Sequence, residues 1–252
     1  MYQLERINAM KEYIDTCGSV SIRDLSEHFG VSAVTVRKDI DDLCRKKMIV
    51  KTHGGALSVR NNLYYETPYE TKTLLFREEK IRIGKLAASL IEDNDTIFLD
   101  SGTTTLEVAR NINRNNVTAV THDLNIAMEL SKNKNVELVV AGGVKLPEVY
   151  TLIGSETVEF IKKLRVNKSF MGCDGISVPF GVSNSTLSEV EAKLAIMKAC
   201  NQLIMVTDSS KFGKEKFYSL FDISEVDIVV TDSIAEETRK ELIIQNVEVL
   251  IA

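Results

Sequence analysis

Apolar residues in the first part of the chain recur at helical spacing in three successive segments. The shared faces consist of Leu4, Ile7 and Ile14, then of Ile22, Leu25 and Phe29, and finally of Val36, Ile40 and Leu43. Gly18 and Gly30 fit the ends of the first two helices, because glycine tolerates the left-handed conformation that often ends a helix. Ser21 and Ser32 fit N-caps of the next two, and Ser21 with Asp24 resembles a capping box. The pattern therefore predicts three short helices around one small core.

Only three residues, Gly30-Val31-Ser32, separate the second predicted helix from the third. Two short helices joined by a tight turn with glycine are typical of the helix-turn-helix unit, whose second helix can enter the DNA major groove. The outward side of the third helix carries small, hydroxyl and basic side chains near its N-terminal end. We expect DNA contacts from Ser32, Val34, Thr35, Arg37 and Lys38.

A basic segment, RKKMIVKTHGGA, follows the third helix. Met48-Ile49-Val50 predicts a strand and Gly54-Gly55 a turn, so we interpret the segment as a small wing. Contacts with DNA phosphates are expected from its basic residues, together with His53: Arg45, Lys46, Lys47, Lys51 and His53. From residue 37 to residue 51 there are six basic and three acidic residues. A charged face that only keeps a small domain in solution is the alternative, but the helix-turn-helix spacing and the wing together favour DNA binding.

Short β-branched runs alternate with helical segments in the rest of the chain. The runs are TIFLD (96–100), VTAV (117–120), VELVV (136–140), KSFMGCD (168–174), QLIMVTD (202–208) and VDIVVTD (226–232). This alternation predicts an α/β domain with a mainly parallel sheet and flanking helices. Residues 58–75 lack strong periodicity and contain Pro68, which indicates a linker. We expect a winged helix-turn-helix domain over 1–57, this linker, and an α/β effector-sensing domain over 76–252.

Polar and glycine-rich residues gather where the predicted strands end. The first strand runs into Asp100-Ser101-Gly102-Thr103-Thr104-Thr105, which opens a helix, and a helix N-terminus attracts anions. The other ends carry Thr121-His122-Asp123, Ala141-Gly142-Gly143, Gly172-Cys173-Asp174-Gly175 and Asp208-Ser209-Ser210-Lys211. An ordinary helix cap would explain the first turn alone. Five such ends on one sheet edge predict a pocket for a small, oxygen-rich anion.

Composition narrows the class of protein. The chain has 252 residues, of which 44% are hydrophobic, enough for substantial cores. With 31 basic and 36 acidic residues the formal net charge is −5, so any nucleic-acid face must be local. Four cysteines and three histidines lack metal-ligand spacing, so we expect reduced cysteines in the core, no metal and no cofactor. The absence of an apolar leader or a membrane-length apolar run predicts a cytoplasmic protein.

The stretch VSIRDLSEHFGVSAVTVRKDIDDL, followed by HGGA, resembles the N-terminal signature of the DeoR family of bacterial transcriptional regulators. DSGTTT, AGG, TLIGSETVEF, GCDGIS and TDSSKFG extend the resemblance over nearly the whole chain. It implies a sensor domain similar in fold to ribose-5-phosphate isomerase and CoA-transferase domains, and a response to phosphorylated sugars or related metabolites. The effector contacts it implies are Asp100, Ser101, Gly102, Thr103, Thr104, Thr121, Gly142, Asp174 and Lys211. His122-Asp123 departs from the Asn-Ser-like pair of many relatives, which bears on the identity of the effector.

Two classes of function remain open. The first is a repressor, a homo-oligomer whose paired helix-turn-helix modules read a palindromic operator under control of a metabolite. The second is a sugar-phosphate isomerase or hydrolase with an attached DNA-binding module, in which Asp100, Asp174 and Lys211 could supply a base and stabilising groups. The Asp-Gly-Ala-Asp-Glu and Lys-Gly-Gly-Gly types of stretch found in the isomerases are absent. This absence favours the regulator, with double-stranded DNA and a small molecule as partners.

Overall fold

The computed structural model describes residues 3–46, 48–52, 54–58, 69–147 and 149–252. The chain divides into two compact units, Met1–Thr71 and Lys72–Ala252. Two residues predicted to bind DNA, Lys47 and His53, and most of the predicted linker lie outside the described residues. None of the described helices is both long and apolar enough to cross a membrane.

The first unit combines three helices with a small antiparallel sheet. Its elements are α1 (Gln3–Cys17), β1 (Ser19–Ser21), α2 (Ile22–Phe29), α3 (Ala33–Arg45), β2 (Ile49–Lys51) and β3 (Gly55–Ser58). The sheet order is β1-β3-β2. The predicted wing therefore contains an additional strand, β1, which is only three residues long and too short to recognise in the sequence. Gly55, predicted to lie in a turn, instead begins β3. A Cβ there would lie 2.0 Å from the Val20 carbonyl oxygen, so glycine is what lets β3 approach β1.

The helix ends follow the sequence signals. The Ser21 side chain accepts from the Asp24 amide, and the Asp24 carboxylate accepts from the Ser21 amide, which completes the predicted capping box. Gly30 adopts φ +63° at the end of α2. The apolar faces of the three helices meet in one core, as predicted, although the side chain of Leu4 lies outside the described part of the structure. Cys17 is a correction, because it is exposed at the end of α1 instead of lying in the core.

An ion pair between two helices crosses the edge of this small core. Arg6 Nε on α1 donates to Asp39 Oδ2 on α3 at 2.7 Å, and Arg6 Nη2 donates to Asp39 Oδ1 at 3.3 Å. The Asp39 side chain is 1% exposed and that of Arg6 is 14% exposed. One of the three acids counted against the basic residues of α3 is therefore hidden, and the outer face of the helix is more positive than the sequence count indicates.

The second unit is an α/β domain, as predicted. Two helices, α4 (Tyr69–Leu74) and α5 (Arg77–Ser89), lead into it, and part of the segment predicted as linker is therefore helical. Its other elements are β4 (Thr96–Leu99), α6 (Thr103–Arg110), β5 (Val117–Thr121), α7 (Leu124–Leu130), β6 (Val136–Val140), β7 (Val144–Lys145), β8 (Leu152–Ile153), α8 (Ser155–Lys162), β9 (Val166–Met171), β10 (Gly175–Ser177), β11 (Gly181–Asn184), α9 (Val190–Ala199), β12 (Cys200–Val206), β13 (Tyr218–Phe221), β14 (Ile228–Thr231), α10 (Glu236–Ile244) and β15 (Glu248–Ile251). Short 3-10 turns occupy Leu187–Glu189, Ser209–Lys211 and Ile223–Glu225.

Seven strands form one sheet in the order β15-β14-β12-β9-β4-β5-β6, and every neighbouring pair is parallel. The chain lays β4, β5 and β6 outward on one side and then returns to place β9 on the other side of β4. The strand order thus reverses between β4 and β9. In open α/β sheets, ligands bind at the carboxyl ends of the strands at such a reversal. This rule predicts a binding crevice after Leu99 and Met171.

Helices cover both faces of the sheet, so the strands are apolar on both sides. Within β4, Ile97 and Leu99 belong to the core beneath α5, α6 and α7, while Phe98 belongs to the core beneath α8, α9 and α10. A smaller antiparallel sheet, β10-β11-β13, lies beyond the end of β9, and β7 pairs with β8. These irregular additions were not predicted, because their strands are too short to show a pattern.

Asp39→Ala should destabilise the first unit by about 3 kcal/mol, because it leaves the Arg6 guanidinium largely buried without its partner. Asp42→Ala is the matched control on the same helix, since Asp42 pairs with Arg45, whose side chain is 77% exposed. We expect this control to cost less than about 1 kcal/mol. Urea unfolding followed by circular dichroism measures both. Equal losses in the two variants would contradict a structural role for the Arg6–Asp39 pair.

Candidate functional site: a DNA-reading helix and a pocket at the sheet edge

The N-terminal turn of α3 presents the side chains predicted to read DNA. The Ser32 hydroxyl accepts from the Thr35 amide at 3.2 Å and lies 3.0 Å from the Thr35 hydroxyl, which caps the helix. Val34 is 73% exposed, and Arg37 and Lys38 are also exposed. Because Val36 and Ile40 anchor the opposite face in the core, these outward side chains are held in fixed positions along one stripe.

The basic residues of this unit differ in whether they are already paired. Arg45 contacts Asp42, and Lys51 Nζ lies 2.5 Å from Asp41 Oδ1. Within the part of the chain that the structure describes, Arg37 and Lys38 have no carboxylate partner. Exposed pairs cost little to break, so the paired cations can still be redirected to phosphates. The unpaired cations of α3 provide the stronger electrostatic attraction.

Asp100, at the end of β4, is the centre of the sheet-edge site and is completely buried. Its Oδ2 accepts from Lys193 Nζ at 2.5 Å and from the Gly172 amide at 3.2 Å, while Oδ1 lies 3.0 Å from His122 Nε2. Lys193 also donates to the Gly172 carbonyl oxygen at 3.0 Å. The carboxylate thus joins the ends of β4, β5 and β9 to α9. It positions the crevice, and its oxygens are already engaged by the protein.

The charges in this cluster compensate one another. Burial alone would raise the pKa of Asp100, but Lys193 and the hydrogen bond with His122 outweigh it, so the pKa lies below its ordinary value. Burial alone would lower the pKa of Lys193, yet Asp100 and Glu189 raise it above its ordinary value. His122 Nδ1 faces the Leu152 carbonyl oxygen at 3.1 Å, so both ring nitrogens face acceptors.

Glu189 organises a second part of the rim. Its Oε1 accepts from the hydroxyls of Thr151, at 3.2 Å, and Ser101, at 3.4 Å. Its Oε2 accepts from Asn184 Nδ2 and the Thr186 hydroxyl, both at 3.1 Å. The carboxylate therefore connects the turn after β4 to the loop after β11. This network lies beside the strand ends at which the crevice is expected.

The sequence predicts an anion-binding element at the first turn of α6. Gly102 precedes it with φ +142°, a conformation that favours glycine, and the Thr105 hydroxyl donates to the Gly102 carbonyl oxygen at 2.9 Å. Thr103 and Thr104 follow at the start of the helix, each 9% exposed. The amides of a first helical turn have no acceptor inside the helix and lie at its positive end.

Asp174, after β9, forms the opposite wall. Its Oδ1 accepts from Lys72 Nζ at 3.1 Å and its Oδ2 accepts from the Ser185 amide at 3.0 Å. The Ser185 side chain is 97% buried, since the residue is 3% exposed, and its hydroxyl finds no hydrogen-bond partner among the described residues. A buried hydroxyl without a partner is costly, and a polar ligand group would satisfy it.

Cations gather beside this wall. Lys211 is half-buried in the turn after β12, where its amide donates to the Asp208 carbonyl oxygen at 3.1 Å. Lys80, on α5, is 6% exposed, and burial lowers its pKa to about 8; Asp208 opposes this change, while Lys211 and Lys72 reinforce it. Burial raises the pKa of the neighbouring Cys173 thiol to about 11, so it stays protonated at neutral pH.

The structure separates the predicted effector residues into two groups. Ser101, Gly102, Thr103, Thr104, Asp174 and Lys211 lie in the segments that follow the carboxyl ends of β4, β9 and β12, where the crevice is expected. Asp100 and Thr121 are completely buried, and the Thr121 hydroxyl accepts from the Asp123 amide at 3.1 Å. Gly142 is exposed, and its carbonyl oxygen accepts from the Thr157 hydroxyl at 2.5 Å. Asp100 and Thr121 therefore shape the pocket from behind instead of presenting free polar atoms to it.

Sequence reasoning missed Lys193, Glu189 and Lys80. The signal for Lys193 was present, because it stands on the apolar face of α9, three residues before Ile196. Lys80 likewise shares the buried face of α5 with Gly84. A lysine in the apolar stripe of a helix is expensive to bury and so indicates a specific partner. No group of three or more potential metal-binding side chains occurs among the described residues.

Lys193→Met should destabilise the second unit by about 3–5 kcal/mol near neutral pH, because the buried Asp100 carboxylate loses its cation. The lowered pKa of Asp100 means that its stabilising contribution is present above about pH 4 and is lost as the pH falls further. The raised pKa of Lys193 means that its contribution is lost only above about pH 10.

The difference between the Lys193→Met variant and the wild type should therefore shrink below about pH 4. Urea unfolding over a pH series measures it, with Lys198→Met as the control, since Lys198 is exposed on the same helix. A difference that stays constant down to pH 2 would exclude the ion pair as its cause.

Comparison with known proteins agrees with this architecture. The DeoR-like helix-turn-helix domain matches residues 6–62, and the DeoR C terminal sensor domain matches residues 76–233. The HTH-type transcriptional regulator IolR of Bacillus subtilis is 34% identical over 230 residues, which cover 91% of each chain. The glycerol-3-phosphate regulon repressor of Escherichia coli is 33% identical over 234 residues, which cover 92% of each chain.

A solved structure gives a looser likeness. Ribose 5-phosphate isomerase A from Methanocaldococcus jannaschii gives a TM-score of 0.40 at 16% identity, over 54% of this chain and 55% of that chain. The two domain matches and the full-length relatives decide the family. The chain belongs to the DeoR family of DNA-binding transcription regulators.

Proposed function

We propose that this regulator is a repressor whose affinity for operator DNA is controlled by a phosphorylated sugar, or a related phosphorylated polyol, bound in the crevice between β4 and β9. The division of charge in that crevice carries the proposal. One side offers the N-terminal turn of α6 with Lys80 and Lys211, and this combination suits a phosphate group. The other side offers side chains that suit hydroxyl groups.

The hydroxyl-binding side consists of Asp174, Asn184, Ser185 and Glu189. A carboxylate accepts from a hydroxyl and an amide nitrogen donates to one, so these groups can bind a polyol in a defined orientation. The unpartnered Ser185 hydroxyl adds a position that a ligand hydroxyl would satisfy. The name of one relative, a glycerol-3-phosphate regulon repressor, agrees with a ligand that combines a phosphate and hydroxyls.

Operator recognition is assigned to α3. Arg37 and Lys38, with Val34 and Thr35, would meet base edges in the major groove, while Arg45 and Lys51 would contact phosphates. A single short reading helix offers little surface for specific affinity. We therefore propose a homo-oligomer that presents two such helices to a palindromic operator, acting on DNA in the bacterial cytoplasm.

Binding without turnover is favoured over catalysis. An isomerase needs a base with a free lone pair beside the substrate carbon. Asp100 is completely buried, and Lys193 and His122 hold its pKa below the ordinary value against the effect of burial, so this carboxylate is a weak base. The same contacts suit a rigid pocket whose occupancy changes a conformational equilibrium.

Arg37→Ala and Lys38→Ala should both weaken DNA binding, and the pattern of the loss identifies each contact. Loss of a base contact relaxes specificity at one base pair by about 1–3 kcal/mol. Loss of a phosphate contact weakens binding to all DNA sequences about equally and lowers the slope of log K against log salt concentration by about 1. Fluorescence anisotropy with DNA selected from a random pool measures both. The exposed Lys163, in the second unit, provides the control Lys163→Ala. Wild-type affinity in both α3 variants would exclude α3 as the reading helix.

A phosphorylated sugar should raise the melting temperature of the full-length protein, whereas the corresponding free sugar should not. At about 100 times its dissociation constant a ligand stabilises by roughly 2.7 kcal/mol. Thr103→Val and Lys211→Ala should reduce the shift for the ligand that gives it. Lys134→Ala is the matched control, because Lys134 is exposed and precedes β6 at the opposite edge of the sheet.

A screen by differential scanning fluorimetry over sugar phosphates, polyol phosphates and their free forms measures these shifts. Stabilisation by free sugars alone, or by none of the compounds, would reject the phosphorylated effector. An equal loss of stabilisation in the Lys134→Ala control would show that the variants act through general stability.

A further inference from the structure

Lys80 makes an unusual pair of contacts for a buried cation. Its ammonium donates to the carbonyl oxygens of Lys72, at 2.5 Å, and Leu75, at 2.9 Å. These carbonyls lie at the C-terminal end of α4, where a helix has no internal donors for its last oxygens. Lys80 therefore caps α4 from the first turn of α5. Both acceptors are neutral, and no carboxylate lies within ion-pair distance of Lys80 among the described residues.

The charges that face Lys80 come from three parts of the fold. Asp208 and Lys211 lie at the end of β12, Glu107 lies on α6 and Lys72 lies on α4. The two acids and the two lysines partly cancel, and burial then disfavours the charged form of Lys80. An anion beside the ammonium would relieve this cost, because it would supply the negative charge that the carbonyl oxygens lack.

The helix packing directs Lys80 towards the first turn of α6. Gly84 lies one turn after Lys80, and a Cβ at Gly84 would be 2.5 Å from Glu107 Cβ, so the two helices touch there. The C-terminal ends of the two helices also meet, because Arg114 Nε, after α6, donates to the Ile91 carbonyl oxygen, after α5, at 2.9 Å, so the helices run in the same direction. One turn back from Gly84 therefore corresponds to one turn back from Glu107, and this places Lys80 opposite Thr103. Lys80 thus flanks the amides to which the proposed phosphate group would bind.

The turn between α4 and α5 is held under strain. Phe76 has φ +52° and ψ +38°, a left-handed conformation that is costly for a residue with a Cβ. The contacts of Lys80 with Lys72 and Leu75 close over this turn, and the Lys80 amide donates to the Phe76 carbonyl oxygen at 3.0 Å. Weakening the ammonium contacts would let the end of α4 move.

We propose that Lys80 is an anion-binding residue that exchanges partners: without effector it caps α4, and with effector its ammonium binds the anionic group at the first turn of α6 and releases the C-terminal end of α4. The inference rests on the proposed function, because it uses the same crevice. The exchange connects the effector site to α4, the helix that follows the helix-turn-helix domain in the sequence. Lys72, on the same helix, remains tied to Asp174.

Hydrogen exchange at the C-terminal turn of α4 tests the exchange of partners directly. Full-length protein is compared with and without inorganic phosphate and each phosphorylated sugar that raises its melting temperature. In the wild type, a bound anion should speed exchange of the amides in residues 72–76. In Lys80→Met these amides should exchange fast without any anion and should not respond to one. Lys85→Met, which changes an exposed lysine on the same helix, should behave as the wild type.

Affinity for the same anions supplies a second readout. Loss of a charge-assisted hydrogen bond in Lys80→Met should weaken anion binding by about tenfold or more, and Lys85→Met should leave it unchanged. Unchanged or slower exchange in the wild type with a bound anion would overturn the exchange of partners. Tight binding in Lys80→Met would overturn the contact itself. If no anion binds the wild-type protein, both this inference and the phosphorylated effector fail together.

Discussion

The buried carboxylate of Asp100 is the interaction on which the sensor site depends. It stands at the end of β4, where the strand order reverses, and it is bound by Lys193 from α9, by His122 from β5 and by the Gly172 amide after β9. No one of these elements is adjacent to another in sequence. A single charge therefore fixes the positions of three strand ends, and the pocket between them is rigid because breaking a buried ion pair is costly.

The polar groups around this centre differ in how strongly the protein binds them. The rim that we propose to face ligand hydroxyls is tied to Glu189 and Asp174 through hydrogen bonds of 3.0 and 3.1 Å. The cationic rim is held more weakly, since Lys80 is satisfied only by carbonyl oxygens beside a strained turn. Such a division suits a regulator. One part of the site can bind a ligand in a defined orientation, while the other changes partners and shifts the equilibrium between two states of the chain.

The elements that repeat a clear pattern could be predicted from the sequence, and those that depend on distant partners could not. The helices of the first unit, its capping box and six parallel strands follow from the spacing of apolar residues and from Ser21, Ser32 and Gly30. The turn after β4 was also found, because its small hydroxyl residues cluster. In contrast, Asp100 was expected to contact the effector. Only the fold reveals that Lys193 and His122 already bind the Asp100 carboxylate. Lys80 escaped notice because a lysine on a helix usually indicates a solvated face.

The account predicts that a ligand in the sheet-edge crevice changes the affinity of α3 for DNA. The most direct measurement is the dissociation constant of the full-length protein for its selected DNA, determined with and without a phosphorylated sugar that raises its melting temperature. Coupling of the usual size would change that constant by about 5- to 150-fold, and the free sugar would leave it unchanged. A phosphorylated sugar that saturates the protein and leaves its DNA affinity unaltered would contradict the account.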